Sequence, residues 1–332
     1  MSKVFPRIGR RRALPAAAAG AVVLGLLLWW LLPLSEKPPS GTIVFSTGTP
    51  RGVYQEYGER LRAEFAKDMP GLKVKLLNSA GSQENVQRVA TGKADFTIAA
   101  ADAVETYALE HRSGAERLRG VARLYDDYVH LIARGGSGIH SVADLRHKRV
   151  AIGLPDSGVR LIADRVLKAS GIDPRKDITP VADGIDTGPD QLRQHKIDAF
   201  FWSGGLPTKG LVELAKKSAF TFVPIDGDLV GKLHDEGQEA RYYRATNIPE
   251  SAYPAVQQGS EVPTIAVSNI LMTRADIDPR LAEWVTRTVI KSRDGIGAHV
   301  HSAQLVDLRT AIYTDPLPLQ EGARRYYRSM KP

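Results

Sequence analysis

From residue 42 onward, short β-branched runs alternate with stretches of helical periodicity. Thr42-Ile43-Val44-Phe45 is β-branched and aromatic and predicts a buried strand. Val53, Tyr57, Leu61 and Phe65 then fall four apart, which predicts a helix with one apolar face. Between them, Ser46-Thr47-Gly48-Thr49-Pro50-Arg51-Gly52 is a loop of small and hydroxylated residues. Leu72-Lys73-Val74-Lys75-Leu76 alternates as a strand with one wet face. Asn78-Ser79-Ala80-Gly81-Ser82 leads into a helix carrying Val86, Val89 and Ala90, with Gly92 as its stop. A third strand, 96–101, ends at Asp102. Strand, loop, helix and strand repeating in this order predict a parallel sheet with helical crossovers.

The pattern returns later in the chain. Arg149-Val150-Ala151-Ile152-Gly153 predicts a strand, and Val159, Ile162, Ala163, Val166 and Leu167 a helix running to Gly171. A short strand near 178–181, a helix near 190–195 and a strand through Ala199-Phe200-Phe201-Trp202 follow. Two similarly wired lobes imply a clamshell. Ligands in open α/β sheets sit beyond the carboxyl ends of strands, so the strand ends at Ser46, Asn78, Leu154 and Trp202 are expected to face one cleft. Residues 264–272 predict a strand returning to the first lobe, and helices near 279–293 and 302–313 close the fold.

Charge changes the picture at one end only. The 332 residues carry a net +8, but six Lys/Arg against Glu36 alone lie in residues 1–40. Beyond them 39 Lys/Arg face 36 Asp/Glu, too even for a basic nucleic-acid face. Between Arg12 and Glu36 lie 23 uncharged residues, enough to cross a bilayer that needs about 20. Arg10-Arg11-Arg12 places residues 1–12 as a basic cytoplasmic tail, 13–35 as one N-terminal transmembrane anchor or signal and 36–41 as a linker. The domain then faces the extracytoplasmic side of the cell membrane as a single-pass protein, or is secreted after signal cleavage. With no Cys, neither a lipid-modified cysteine nor a disulfide is available.

Candidate chemistry centres on the opening loop. A loop that starts a helix beside a strand end presents free N–H groups and the positive helix end, a site for an anion. Arg51 is either a clamp for a carboxylate or a solvated cation. Ser82 caps its helix or contacts ligand; Asp102 caps or meets a ligand amine; Tyr54 and Trp202 line the cleft or join the core. Tyr125-Asp126-Asp127-Tyr128 reads as a hinge or surface segment between lobes. The eight His form no metal set, and no Ser-His-Asp order, H-E-x-x-H or P-loop occurs, so no enzyme, cofactor or metal is expected.

Taken in order, these pieces resemble the TAXI family, the solute-binding proteins of TRAP transporters (TRAP-associated extracytoplasmic immunogenic proteins). The carriers are residues 46–58, Ala80-Gly81-Ser82-Gln83-Glu84-Asn85, Gly92-Lys93-Ala94-Asp95-Phe96 with Ala101-Asp102, Lys148-Arg149-Val150-Ala151-Ile152-Gly153 with Ser157-Gly158, Lys196-Ile197-Asp198-Ala199-Phe200-Phe201, Asn247-Ile248-Pro249 with Tyr253-Pro254, and Gly322-Ala323-Arg324-Arg325-Tyr326-Tyr327. The resemblance implies a two-lobed α/β clamshell of the type II periplasmic-binding-protein class, with lobe I at 42–135 plus 246–332 and lobe II at 136–245. It implies capture of an amino acid or a carboxylate such as glutamate or a dicarboxylate, delivered to TRAP membrane permease subunits. The alternative is a ligand-sensing clamshell for a membrane signalling partner. Ligand-binding candidates are Thr47, Gly48, Thr49, Arg51, Gly52, Val53 and Tyr54; Ser82 and Asn85; Ala101 and Asp102; Asp156, Ser157, Gly158 and Val159; and Trp202 and Gly204. The chain departs from the family pattern at Thr49, Arg51, Ala100, Asp156, Val159 and Gln320-Glu321, mostly in presumed ligand loops.

Overall fold

The computed structural model describes residues 37–331 and Val23. The tail and the candidate membrane segment otherwise lie outside the described residues. Among those described, no helix is long and apolar enough to cross a membrane. Pro39–Pro332 forms one compact unit.

Ten strands form its sheet: β1 (Gly41–Ser46), β2 (Leu72–Leu77), β3 (Phe96–Ala100), β4 (Leu118–Arg134), β5 (Arg149–Ala151), β6 (Thr179–Val181), β7 (Ala199–Gly204), β8 (Phe220–Val223), β9 (Arg244–Ile248) and β10 (Val262–Arg274). Their order is β2-β1-β3-β10-β4-β7-β5-β6, with β8 on β4 and β9 on β10. At one end β1 runs parallel to β2 and β3; at the other β5 runs parallel to β6 and β7. The long strands β4 and β10 pair antiparallel with each other and with a strand of each block.

Among the described residues, the helices of nine residues or more are α1 (Val53–Asp68), α2 (Ser82–Ala90), α3 (Ala101–Leu109), α4 (Gly158–Ala169), α5 (Gly227–Glu236), α6 (Pro279–Lys291) and α7 (Glu321–Ser329). Periodicity placed α1, α2, α4 and α6 because each carries an apolar stripe. In α1 the stripe residues Tyr57, Leu61 and Phe65 are fully buried, each stabilising by about 1.5–3 kcal/mol. Val53 packs only partly, since it borders the cleft described below. One core gathers Phe45, Phe65, Phe96, Ile98 and Tyr125, another Val150, Ile162, Val166, Phe200 and Phe201.

Three expectations are corrected. Tyr125-Asp126-Asp127-Tyr128, expected as a hinge or surface segment between lobes, is not a surface segment but the middle of β4, where strand alternation buries Tyr125 and Asp127 and leaves Asp126 and Tyr128 half-buried. The third strand stops at Ala100, and Asp102 already lies in the first turn of α3. The helix expected over 302–313 breaks into His301–Leu305 and Leu308–Ala311, because Asp307 turns its carboxylate to cap the Arg309 N–H at 2.8 Å.

Candidate functional site

The ends of β1, β2, β5 and β7 converge on one cleft holding about 500 Å³ of empty space, its open mouth included. Gly48, Thr49, Gly52, Val53 and Tyr54 supply one wall; Ala80, Gly81, Ser82 and Ala100 the next. Ser157, Gly158, Val159 and Ile162 face them, and Asp127 with Trp202, Ser203 and Gly204 completes the lining. Two helices start here. No side chain caps α1 at Gly52, so its first-turn N–H groups bring the positive helix end to the cleft. α4 starts opposite, with Ser157 Oγ accepting the Arg160 N–H at 3.0 Å.

The walls touch. Gln83 Nε2 donates to the Ser157 carbonyl at 2.8 Å, and the Glu84 N–H to the Asp156 carbonyl at 3.0 Å. Gly81 has a φ of +137°, open to glycine at little cost. A Cβ on Gly158 would lie 3.0 Å from Ser82 Oγ, so the approach depends on its absence. At the rim, the Arg51 N–H donates to Asp186 Oδ1 at 3.0 Å and its guanidinium to the Asp186 carbonyl at 3.2 Å.

Of the candidates named from sequence, Gly48, Thr49, Gly52, Val53, Tyr54, Ser82, Ser157, Gly158, Val159, Trp202 and Gly204 line this space. The others stand behind or beside it. Thr47 is buried and donates to Gln55. Asn85 Nδ2 donates to the carbonyls of Thr47 (2.7 Å) and Ile98 (2.9 Å), and its Oδ1 accepts from Ser46 (2.7 Å), which stitches the first loop to β3. Ala101 packs in the core. Asp156 has φ +61° and gives its carbonyl to α2. Arg51 is occupied at the rim. Ser82 is not a cap: Gly81 holds that position, and Ser82 Oγ accepts the Ala100 N–H at 3.1 Å. Trp202 fills both roles proposed for it, bordering the cleft while its Nε1 donates to Thr208 at 3.0 Å.

Asp102 meets no cleft space. Fully buried, it accepts from Tyr243 Oη at 2.7 Å and pairs with Arg165 on α4 at 3.3 Å. Arg165 also donates to Tyr243 Oη (2.8 Å) and Thr106 (2.7 Å). Burial pushes the Asp102 carboxyl up, opposed by the Arg165 charge. This is an ionic tie between α3 and α4.

Sequence reasoning missed Ala80, Gly81, Ala100, Asp127, Ile162 and Ser203. Strand alternation in β4 was the signal for Asp127, obscured by the neighbouring Asp126. Asp127 is 4% exposed, with Oδ1 unpartnered. Burial pushes its carboxyl up to about 7, while the nearby Asn269 amide and Tyr54 hydroxyl pull the other way. Tyr54 Oη donates to Asn269 and lies 3.1 Å from Ser82 Oγ. Burial first, then the Asp127 charge, raises the Tyr54 phenol.

The NMT1-like family profile matches residues 45–330. The chain belongs to the NMT1-like family. Solved structures agree with that assignment at the level of fold. One, from Bordetella bronchiseptica RB50, is 15% identical, with 88% of this chain and 90% of that one covered at a TM-score of 0.51. Another, titled as a candidate L-cystine ABC transporter from Listeria monocytogenes, is also 15% identical, with 80% and 98% covered at 0.50. In this NMT1-like chain, parallel blocks joined by long strands give the periplasmic solute-binding architecture, with the cleft at the strand ends.

Proposed function

We propose that this protein is the extracytoplasmic solute-binding subunit of a transporter and does no chemistry on its solute. The observation that carries this is the cleft itself. It is walled by loops from both parallel blocks, touches across Gly81 and Gly158, and is lined by glycines, small hydroxyl residues and apolar side chains. Family membership and the fold shared with the Listeria protein support the same role. We read the two parallel blocks as two lobes, 42–135 plus 246–332 and 136–245, the core of the second drawing also on Val129, Leu131, Ile132, Ile265 and Val267 of the long strands, and the solute as held by lobe closure.

We further infer a TAXI-type protein serving a TRAP permease, tethered by residues 13–35, on the ordered motifs in its sequence. A carboxylate end of the solute would rest on the loops 49–53 and 157–159, where α1 and α4 begin, through the N–H groups of Thr49, Val53, Gly158 and Val159; Pro50 has none, and those of Arg51, Gly52 and Ser157 are bonded within the protein. A thermal-shift screen of amino acids, mono- and dicarboxylates and neutral solutes tests this. Stabilisation is expected from carboxylate-bearing compounds. Stabilisation by neutral apolar solutes alone would sink the anion-nest part, and no stabilisation by any solute would sink the receptor role. Capture of a multi-span permease with the tagged protein is the expected result for the transport partner.

A further inference from the structure

The charge inventory of the cleft is one-sided. Its lining holds a single carboxylate, Asp127, and no Lys, Arg or His. Two of the hydroxyls near it are committed elsewhere, while the buried Asn269 Nδ2 and Ser203 Oγ have no partner of their own. The Tyr54 hydroxyl is directed to Asn269 Oδ1, and Ser82 Oγ is engaged with the Ala100 N–H and Tyr54. Asp127 Oδ1 has no partner, although the residue is more than nine-tenths buried on the rigid strand β4. A buried carboxylate without a cation is costly, and such groups persist where a ligand completes them. The rest of the wall is mostly apolar, with Val53, Val159, Ile162 and Trp202 in it, and its polar groups are the hydroxyls of Thr49, Tyr54, Ser82, Ser157 and Ser203.

We propose that the cleft takes a solute carrying a protonated amine on an apolar body, with its ammonium paired to Asp127. This rests on the solute-receptor role and names the class of solute. An ammonium brings up to three donors and a positive charge and has no acceptor needing satisfaction, so it supplies what Oδ1 lacks. An anion placed against Asp127 would meet a like charge with no cation in the lining to offset it. The apolar walls select the body, and Trp202 and Tyr54 offer aromatic surface near the cation. A zwitterionic amino acid would satisfy both this pairing and the helix N-termini; a simple amine satisfies the pairing alone.

Matched carbon skeletons test it by titration calorimetry on the full-length protein. Leucine, isopentylamine and 4-methylpentanoate form one set; phenylalanine, phenethylamine and 3-phenylpropanoate form a second. The amine-bearing members of at least one set are expected to bind and its deaminated acid to bind at least tenfold more weakly. Asp127→Asn, which keeps the shape and removes the charge, should weaken the amine on the order of 100-fold. Acids binding as tightly as their amines, or Asp127→Asn holding the amine within about threefold, overturns the pairing and leaves the receptor role standing. So does a wider screen that finds only uncharged or anionic solutes. No binding by any screened solute overturns both. Should the variant fail to fold, the amine-to-acid ratio in the unaltered protein decides alone.

Discussion

Replacing Asp127 by Asn should make the ligand-free protein more stable, and only above acidic pH. In the folded chain the carboxyl sits at about 7 against an ordinary 3.8, because burial disfavours its ionised form. At about 1.4 kcal/mol for each pH unit of that difference, the ionised group costs roughly 4 kcal/mol. The folded state holds this proton more tightly than the unfolded state. The carboxyl's contribution is therefore most favourable below 3.8, falls as pH rises, and levels off above about 7. His130, buried on the same strand, runs the other way. Burial pushes its imidazole down to about 3 from 6.5, so its contribution is full above 6.5 and lost as pH falls towards 3. The two slopes oppose each other across nearly the same window, and the parent protein should show little net dependence from these groups. The variant unmasks His130. The other groups around Asp127 are Tyr54, Asn269, Asp126 and Asp102, present in both proteins. Urea unfolding followed by tryptophan fluorescence should find the variant equal to the parent near pH 4 and roughly 4 kcal/mol more stable near pH 8. A difference that does not change with pH, or a variant less stable at pH 8, refutes the account. A stability gain bought by removing one carboxylate would mark it as a group retained for binding.

Arg165→Met strips buried Asp102 of its cation and should cost about 3–5 kcal/mol in urea unfolding; a loss under about 1 kcal/mol means that the α3–α4 tie is not what holds Asp102. Gly158→Ala sets a methyl 3.0 Å from Ser82 Oγ and should hold the walls apart, lowering affinity for the solute found by screening roughly tenfold with the unfolding temperature nearly unchanged. Unaltered affinity would show that this approach is not required for binding. Arg51→Ala removes the exposed guanidinium bond to the Asp186 carbonyl, leaves the backbone N–H bond to Asp186 Oδ1 in place, and should change affinity by less than about fivefold. A loss near 100-fold would instead put the guanidinium on the solute.

Much of the architecture was legible along the chain because it is written in local patterns. The four-residue stripe of α1, the alternation of β2 and the glycine-rich turns each depend on neighbours a few residues away, and they located the loops that meet at the cleft. β4 was not legible. Its seventeen residues mix Arg, Asp, Tyr and His with apolar side chains, since one strand serves two cores, a cleft and half-buried edges at once. No single periodicity survives so many environments.

The sequence by itself determined the helical crossovers, the small-residue loops and the 23-residue uncharged run near the N-terminus. Those features follow from backbone preference and side-chain spacing, which act locally. Only the tertiary structure decided which polar residues face the solute space. Asp127 enters the cleft through the register of β4 against β10, where it stands opposite Val267. Arg51 is taken by Asp186, 135 residues away, and Asp102 by Arg165 and Tyr243. Partners so far apart in the chain are chosen by packing, and packing also sets the local dielectric that gives a carboxylate its charge.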